Sequence, residues 1–543
     1  MHLRLRRLLL RLGCSRGFTT VTLMGVLFVG GLLVVAAYAA VDPDISLSRD
    51  DQDAKQAYAA ADAGLQWYLN RLNVDNAFYL KCSDVDPPSP GEVAPIYDRE
   101  WDGVGDDPRA WRPLPGEKAE YAVELVPAPN APIPFGETQR RCVENDQYSM
   151  IDDQGNLRLR VTGRSRGEYR TVVATLRRFN FIDYVYFTNF ETKDPDTYAN
   201  TAEVEQANNE CQVFRSERTS FCDEIQFAPT DDQNGPVHTN DSIIVCGHPL
   251  FGRNSSDRIE LNGDPPYGPA CAGGSPNIQG TLVAPAGVLE MPPSNAELAN
   301  IVGSDYHYYG RTTLVLNANG TMTVTGRQSL PTASVTTKTL PMPSKGVFYV
   351  SNLSCPSGYV LRQTYSTSSG NPSGCGDVIV RGTYATNLTV AADNDVLVNG
   401  NLVRGNQEML LGLIANNFVR VYHPGDFSGS GLRGGPYPCR NSLSTPAVSQ
   451  IDAAILALQH SFIVDNYYCG NPMGDLTVTG AIAQRYRGPV GTVNSGSIYT
   501  GYSKNYNYND RLRYREPPYF LDPVHAAWHI ARQTERVPAI AKR

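Results

Sequence analysis

The chain lacks the residue spacings that hold metals and nucleotides. No C-x-x-C pair occurs among its eleven cysteines, and its eight histidines are scattered over 543 residues, so no cysteine pair of a zinc site is present. No strand-to-helix serine elbow, P-loop or zinc-binding helix is present. The strings Asp50-Asp51-Gln52-Asp53 and Asp194-Pro195-Asp196 lack the glycine and terminal glutamate of an EF-hand loop. No metal and no cofactor is expected. Positive charge is also scarce. The formal net charge is −8, and loss of Arg4, Arg6, Arg7, Arg11 and Arg16 from the N-terminus would take it to −13. Such a balance argues against nucleic acid as a partner.

What is present begins at the N-terminus. Five arginines, with no acid before Asp42, precede an uncharged run from Phe18 to Val41. At ~1.5 Å per residue that run makes a helix of roughly 36 Å, against a hydrocarbon core of ~30 Å. The expectation is a transmembrane helix over 18–41 whose N-terminus stays cytoplasmic. A secretory signal peptide would be cut after its apolar region, whereas the Gly17-Phe18 junction lies before it. This arrangement resembles the class III leader of type IV prepilins. The resemblance implies that residues 1–17 are a leader, that a prepilin peptidase cuts after Gly17, and that Phe18 is methylated. The family usually carries Glu at the fifth mature position, where this chain has Thr22. A plain signal-anchor, or a lipoprotein cut before Cys14, remains the alternative.

Ser48-Arg49-Asp50-Asp51 has the form of a helix start. Ala57, Ala60, Ala61, Gly64, Leu65, Tyr68, Leu69 and Leu72 then recur at i, i+3, i+4 spacing, which extends a helix through 42–80. Gln56–Leu72 resembles the Ala-rich helix of PilX-type minor pilins and pilus assembly proteins, where small residues let neighbours approach closely. Ser83–Pro115 is rich in Pro, Gly and Asp and reads as loop. Leu157–Arg178 resembles the hairpin of pilin-like heads, so a small α/β head is expected over 81–180.

From 181 to 543 short aliphatic runs are broken by Asn, Asp and Gly. Leu388–Gly400 aligns without gaps on Leu411–His423, and Asp393–Gly400 aligns on Asn240–Gly247. A period of 20–25 residues with polar corners suits one coil of a β-solenoid; a β-sandwich is the alternative. The expected fold class is therefore mainly β with a long N-terminal helix: a transmembrane pilin-like helix, a small α/β head, and a right-handed parallel β-solenoid. Two short helices are expected, at Ala447–Gln459 and Asp522–Arg532. Gly480–Phe520 also resembles the C-terminal stretch of large pilin-like proteins. Within it Tyr499, Tyr502, Tyr506, Tyr508 and Tyr514 form a candidate surface for a glycan or protein ligand, since exposed tyrosine combines apolar area with hydrogen bonding. The other reading is that these rings cover the solenoid.

An even number of cysteines in an exported chain predicts disulfides. With Cys14 in the leader, ten remain, and pairing in order gives Cys82–Cys142, Cys211–Cys222, Cys246–Cys271, Cys355–Cys375 and Cys439–Cys469, with other connectivities open. Asp241, Asp393 and Asp395 are candidate catalytic carboxylates, but each occupies a repeated corner where a carboxylate bonds its own backbone. His238, His423 and His460 stand alone in sequence. The leading function is a non-enzymatic minor pilin, at the tip or initiating position of a type IV pilus or related secretion filament, displaying a disulfide-bonded ectodomain for adhesion. Its partners would be the membrane, the prepilin peptidase, other pilins and a glycan or protein ligand. It would sit in the cell inner membrane with its ectodomain outside. The alternative is a membrane-anchored β-helix carbohydrate-active enzyme. N-terminal sequencing of the mature protein separates the leader readings. Phe18 as the first residue is expected, and an intact Met1 would leave only a simple anchor.

Overall fold

The computed structural model describes residues 20–541 apart from 83–96, 117, 130, 147–148, 153–155, 199, 356–373, 427–438, 442–446, 495–496, 514 and 525–526, and within the first helix it leaves aside the side chains of 21–22 and 36–48. Gly17, Phe18, Cys14 and Tyr514 lie outside the described residues, as does the side chain of Thr22.

Helix α1 runs Thr20–Val74. The expected transmembrane helix over 18–41 is corrected: no described helix is long and apolar enough to cross a membrane. The expected fold class gives way to a mainly β chain dominated by one large, mostly parallel sheet.

The second half of α1 lies on a five-stranded antiparallel sheet of Arg112–Pro113, Ala119–Val126, Leu157–Ser165, Glu168–Arg178 and Trp528–Arg536. Its alanine face sets the distance. Ala57, Ala60 and Ala61 are fully buried, and a Cβ built on Gly163 would lie 1.9 Å from Ala57 O and 2.6 Å from Ala61 N. Helix backbone and strand backbone therefore touch, which only glycine permits. The last strand was expected to be helical; it is instead the edge of this sheet, paired with Glu168–Arg178. The two strands that connect head and solenoid thus leave side by side.

The parallel ladder is stacked out of sequence order. Starting at one end, the strands of its longest side are His307–Asn317, Val347–Ser351, Leu388–Ala392, Leu411–Ala415, Ala454–Ala457, Pro472–Arg487, Tyr186–Lys193, Val237–Thr239, Arg258–Leu261 and Thr281–Val283. The chain enters the middle at Tyr186, winds to one end at Val283, crosses to the far end, and winds back until Ile482 pairs with Tyr186. The repeat's register holds: Val390 faces Leu413, and Val398 faces Val421. The expected helix at Ala447–Gln459 is replaced by Gln450–Ile451 and Ala454–Ala457, which pair with neighbouring coils. Ladder pairing on both sides outweighs the helix-forming alanines there.

An interior column runs through this side: Phe348, Val390, Leu413, Ile455, Ile482, Tyr186, Val237, Ile259 and Leu282. All are buried except Leu282, on the last coil. The crossing segment is tied to the coils it passes. Asn240 accepts from Leu289 N at 2.9 Å, Gln459 donates to Pro293 O, and Asn295 donates to Ala392 O at 2.9 Å and accepts from Tyr349 Oη at 2.9 Å. All five disulfides form in sequence order, with Cα–Cα distances of 4.2–5.8 Å. A Gly163→Ala substitution should destabilise the chain by about 1–3 kcal/mol through overpacking. Gly287→Ala, where an added Cβ meets nothing within 4 Å, serves as the near-neutral control in the same thermal melts.

Candidate functional site

Polar corners between coils are built from the Asn and Asp of the repeat. Asn417 Nδ2 donates to Asn394 Oδ1 at 2.6 Å, and Asn394 Nδ2 donates to Asp377 Oδ1 at 2.6 Å. Asp393 accepts from Tyr349 Oη and from Asn352 N at 2.8 Å. Asp395 accepts from Phe418 N and pairs at 3.1 Å with Arg420, which also reaches Asp465 at 2.7 Å. Asp241 accepts from Glu191 N and Arg215 N and is paired with Arg218. The three candidate carboxylates are therefore bonded within two corners, Asp393 with Asp395 in one and Asp241 in another, and each is held by its own partners.

The histidines are structural partners as well. His238 lies between Glu260, at 2.8 Å, and Asn240, at 3.0 Å. His423 contacts Asp465 O and Asn441. His460 stacks on Phe418 at 4.4 Å and presents its ring nitrogens to Asp194, at 3.0 Å, and Asp196, at 3.6 Å. Burial alone would lower the His460 pKa, but the two carboxylates outweigh it and raise it. Ser461 Oγ also donates to Asp194 at 2.7 Å.

The tyrosine surface is corrected in part. Tyr502, Tyr506 and Tyr508 are buried, and of the four described candidates only Tyr499 is exposed, at 52%. Tyr506 continues an interior column between Val478 and Gln233, and Tyr508 Oη donates to Ile182 O at 3.0 Å. These rings fill the coils, as large apolar surfaces do when an interior column can take them. The following segment lies over the solenoid's side, where Pro517 and Phe520 approach Gly412 and Thr389 donates to Pro518 O.

Two constellations escape sequence reading because their members lie hundreds of residues apart. Where the returning coil meets the entering one, buried Arg487 pairs with Glu191 at 3.0 Å and lies 3.7 Å from Asp231, which Lys504 reaches at 2.6 Å. Where head meets solenoid, buried Arg177 pairs with Glu516 at 2.9 Å, Arg178 pairs with Asp522, and Asp183 stands alongside. Burial pushes Glu516 up to about 7 and raises Asp183 and Asp522, with Arg177 opposing the rise of Glu516 and Asp183 and Arg178 that of Asp522. No periodicity or spacing marks either set.

The other candidate surface is the start of α1. Leu23, Met24, Val26, Leu27, Phe28, Val29 and Leu32–Val35 are each more than half exposed, and an added Cβ on Gly25, Gly30 or Gly31 would meet nothing. An apolar stretch of this kind marks an interaction surface.

No protein-family model and no curated protein matches the chain. Among solved structures, the crystal structure of the competence-associated pilin ComZ from Thermus thermophilus is similar over 89% of this chain and 97% of that one, at 12% identity and a TM-score of 0.27. A likeness this distant leaves the fold to be described from its own strands.

The raised Glu516 gives a signed pH dependence. Folded, it keeps a proton that the unfolded chain releases near pH 4.5, so its contribution to stability is present at pH 5 and is lost as pH rises through about 7. Glu516→Gln lacks this titration. Its melting temperature should gain on the wild type between pH 5 and 7.5, in parallel melts that share every other titrating group. A constant difference across that range would refute the assignment.

Proposed function

We propose that the chain is a non-enzymatic, low-copy component of a type IV pilus or related secretion filament, placed at its tip or initiating position and carrying the solenoid as a displayed ectodomain. The observation that carries this reading is the exposed apolar stretch Leu23–Val35, which follows the Gly17-Phe18 junction and continues as one helix onto the head. Such a stretch is covered by helices of other filament subunits, and its glycines allow close approach. The close helix-on-sheet packing at Gly163 and the five disulfides fit an exported, pilin-like subunit.

Thr22 supports the low-copy position. A carboxylate at that place is thought to meet the N-terminal amine of a neighbouring subunit, and an unmatched buried charge is costly. A threonine hydroxyl cannot replace it, whereas a terminal subunit has no neighbour requiring it. The bulk of the ectodomain points the same way. A prepilin peptidase would process the chain, and a glycan or protein ligand would meet the solenoid. Quantitative mass spectrometry of sheared filaments tests the proposal. The protein should be found at a small fraction of the major subunit, beginning at Phe18. Its appearance as the dominant subunit, or its absence from filaments and from their assembly complexes, would overturn it.

A further inference from the structure

The two ends of the solenoid are finished differently. At one end the outermost parallel strand, His307–Asn317, is covered by Thr321–Gln328, and that strand by Thr336–Pro341. This antiparallel flap puts Lys338 and Pro341 on the last edge, two devices that discourage further pairing. At the other end nothing comparable is present among the described residues. Tyr267–Pro269, Asn277–Ile278 and Thr281–Val283 each pair with the preceding coil alone. Between Asp264 and Glu290 not one residue carries a charge, although the chain as a whole is acidic. The interior column also stops here, leaving Leu282 41% exposed directly beyond the fully buried Ile259.

The backbone of the last strand is aimed outward. Thr281 N donates to Asp257 O at 2.8 Å, back toward the preceding coil. Peptide groups alternate sides along a strand, so the N–H and C=O of Leu282 point to the open side. A strand whose central residue presents both groups can pair with itself about a two-fold axis, the two copies of that residue exchanging both hydrogen bonds.

We propose that this end binds a second copy of the chain, Thr281–Val283 pairing antiparallel with its own copy and Leu282 of each burying the other's column end. The charge pattern selects that occupant. Two acidic molecules repel each other over most of their surfaces, but this uncharged coil can face itself without a like-charge contact. The flap closes the opposite end, so coils cannot stack head to tail, and the association stops at two. Pro269 has no N–H to give, which leaves Thr281–Val283 as the strand that pairs. The proposal is independent of the filament reading, because it concerns the end of the solenoid and not α1.

Site-specific cross-linking in the full-length chain tests it. In a Cys14→Ser background, Leu282→Cys is expected to give a covalent dimer under mild oxidation, because a hydrogen-bonded antiparallel pair holds Cα atoms at about 5.5 Å, within disulfide reach. Peptide mapping should find the 282–282 bond. Leu330→Cys, 61% exposed and next to the flap, should stay uncross-linked, and adding Thr281→Lys, an exposed position on the pairing strand itself, to Leu282→Cys should suppress the dimer by placing like charges at the joint. Association through α1 gives no 282–282 bond, so the two modes are distinguished. Absence of that bond, equal cross-linking at 282 and 330, or capture of a different protein at 282 would each overturn the proposal.

Discussion

The fold depends on the pairing of Pro472–Arg487 with Tyr186–Lys193, two strands almost three hundred residues apart. Every other neighbouring pair on that side of the ladder is nearer in the chain, and this one joins the two halves of the stack. Long loops must close before it forms, so it carries the largest entropic cost in the sheet. Its reinforcement is correspondingly dense: Arg487 with Glu191, Lys504 with Asp231, His460 between Asp194 and Asp196, and Asn234 with Asn507 at 3.2 Å. Buried ion pairs add little net stability over apolar residues, but an offset partner leaves an uncompensated charge. At this joint each charge has its partner; the interior column passes from Ile482 to Tyr186, and the register shifts only further along, between Tyr486 and Arg487.

The head is attached at the same level. The chain enters the solenoid at Phe181 and leaves after Tyr508, and the strands just outside those points pair with each other in the head sheet. Arg177, Glu516, Asp183 and Asp522 occupy the gap between the two bodies. Burial in this joint is the main reason Glu516 holds its proton toward neutrality, and the neighbouring Asp522 and Asp183 add to it against the pull of Arg177. The crossing segment with Asn295 adds a strap along the outside of the coils. Together with the interior column and the segment of Pro517 and Phe520 beside Gly412, it leaves all five residues of Leu411–Ala415 buried.

Local pattern made a good part of this legible. The gap-free alignment of Leu388–Gly400 on Leu411–His423 already contained the pairing of Val390 with Leu413, because coils of one pattern stack in register. Cysteine order matched the disulfides, and at Cys246–Cys271 the reason is that successive coils stack, with Val245 facing Pro269. The corner role of Asp393 and Asp395 followed from their repeated position. The tyrosines from Tyr502 to Tyr508 misled because alternation along a strand says which rings share a face, not whether that face is covered. The helices expected at Ala447–Gln459 and Asp522–Arg532 failed because ladder partners, invisible locally, overrode propensity.

Sequence alone determined what is periodic or adjacent: the small-residue face of α1, the hairpin Leu157–Arg178, the coil period, the Asn and Asp corners, and the uncharged stretch from Pro265 to Leu289. Tertiary structure decided the order of the coils, the return of Trp528–Arg536 to the head, the partners of Arg487 and Arg177, and which end of the solenoid is left open. The physical reason is range. Side-chain period and turn chemistry act over a few residues and are written in the chain, whereas the choice of a partner strand hundreds of residues away is made by burial and charge neutralisation that exist only once the coils have stacked.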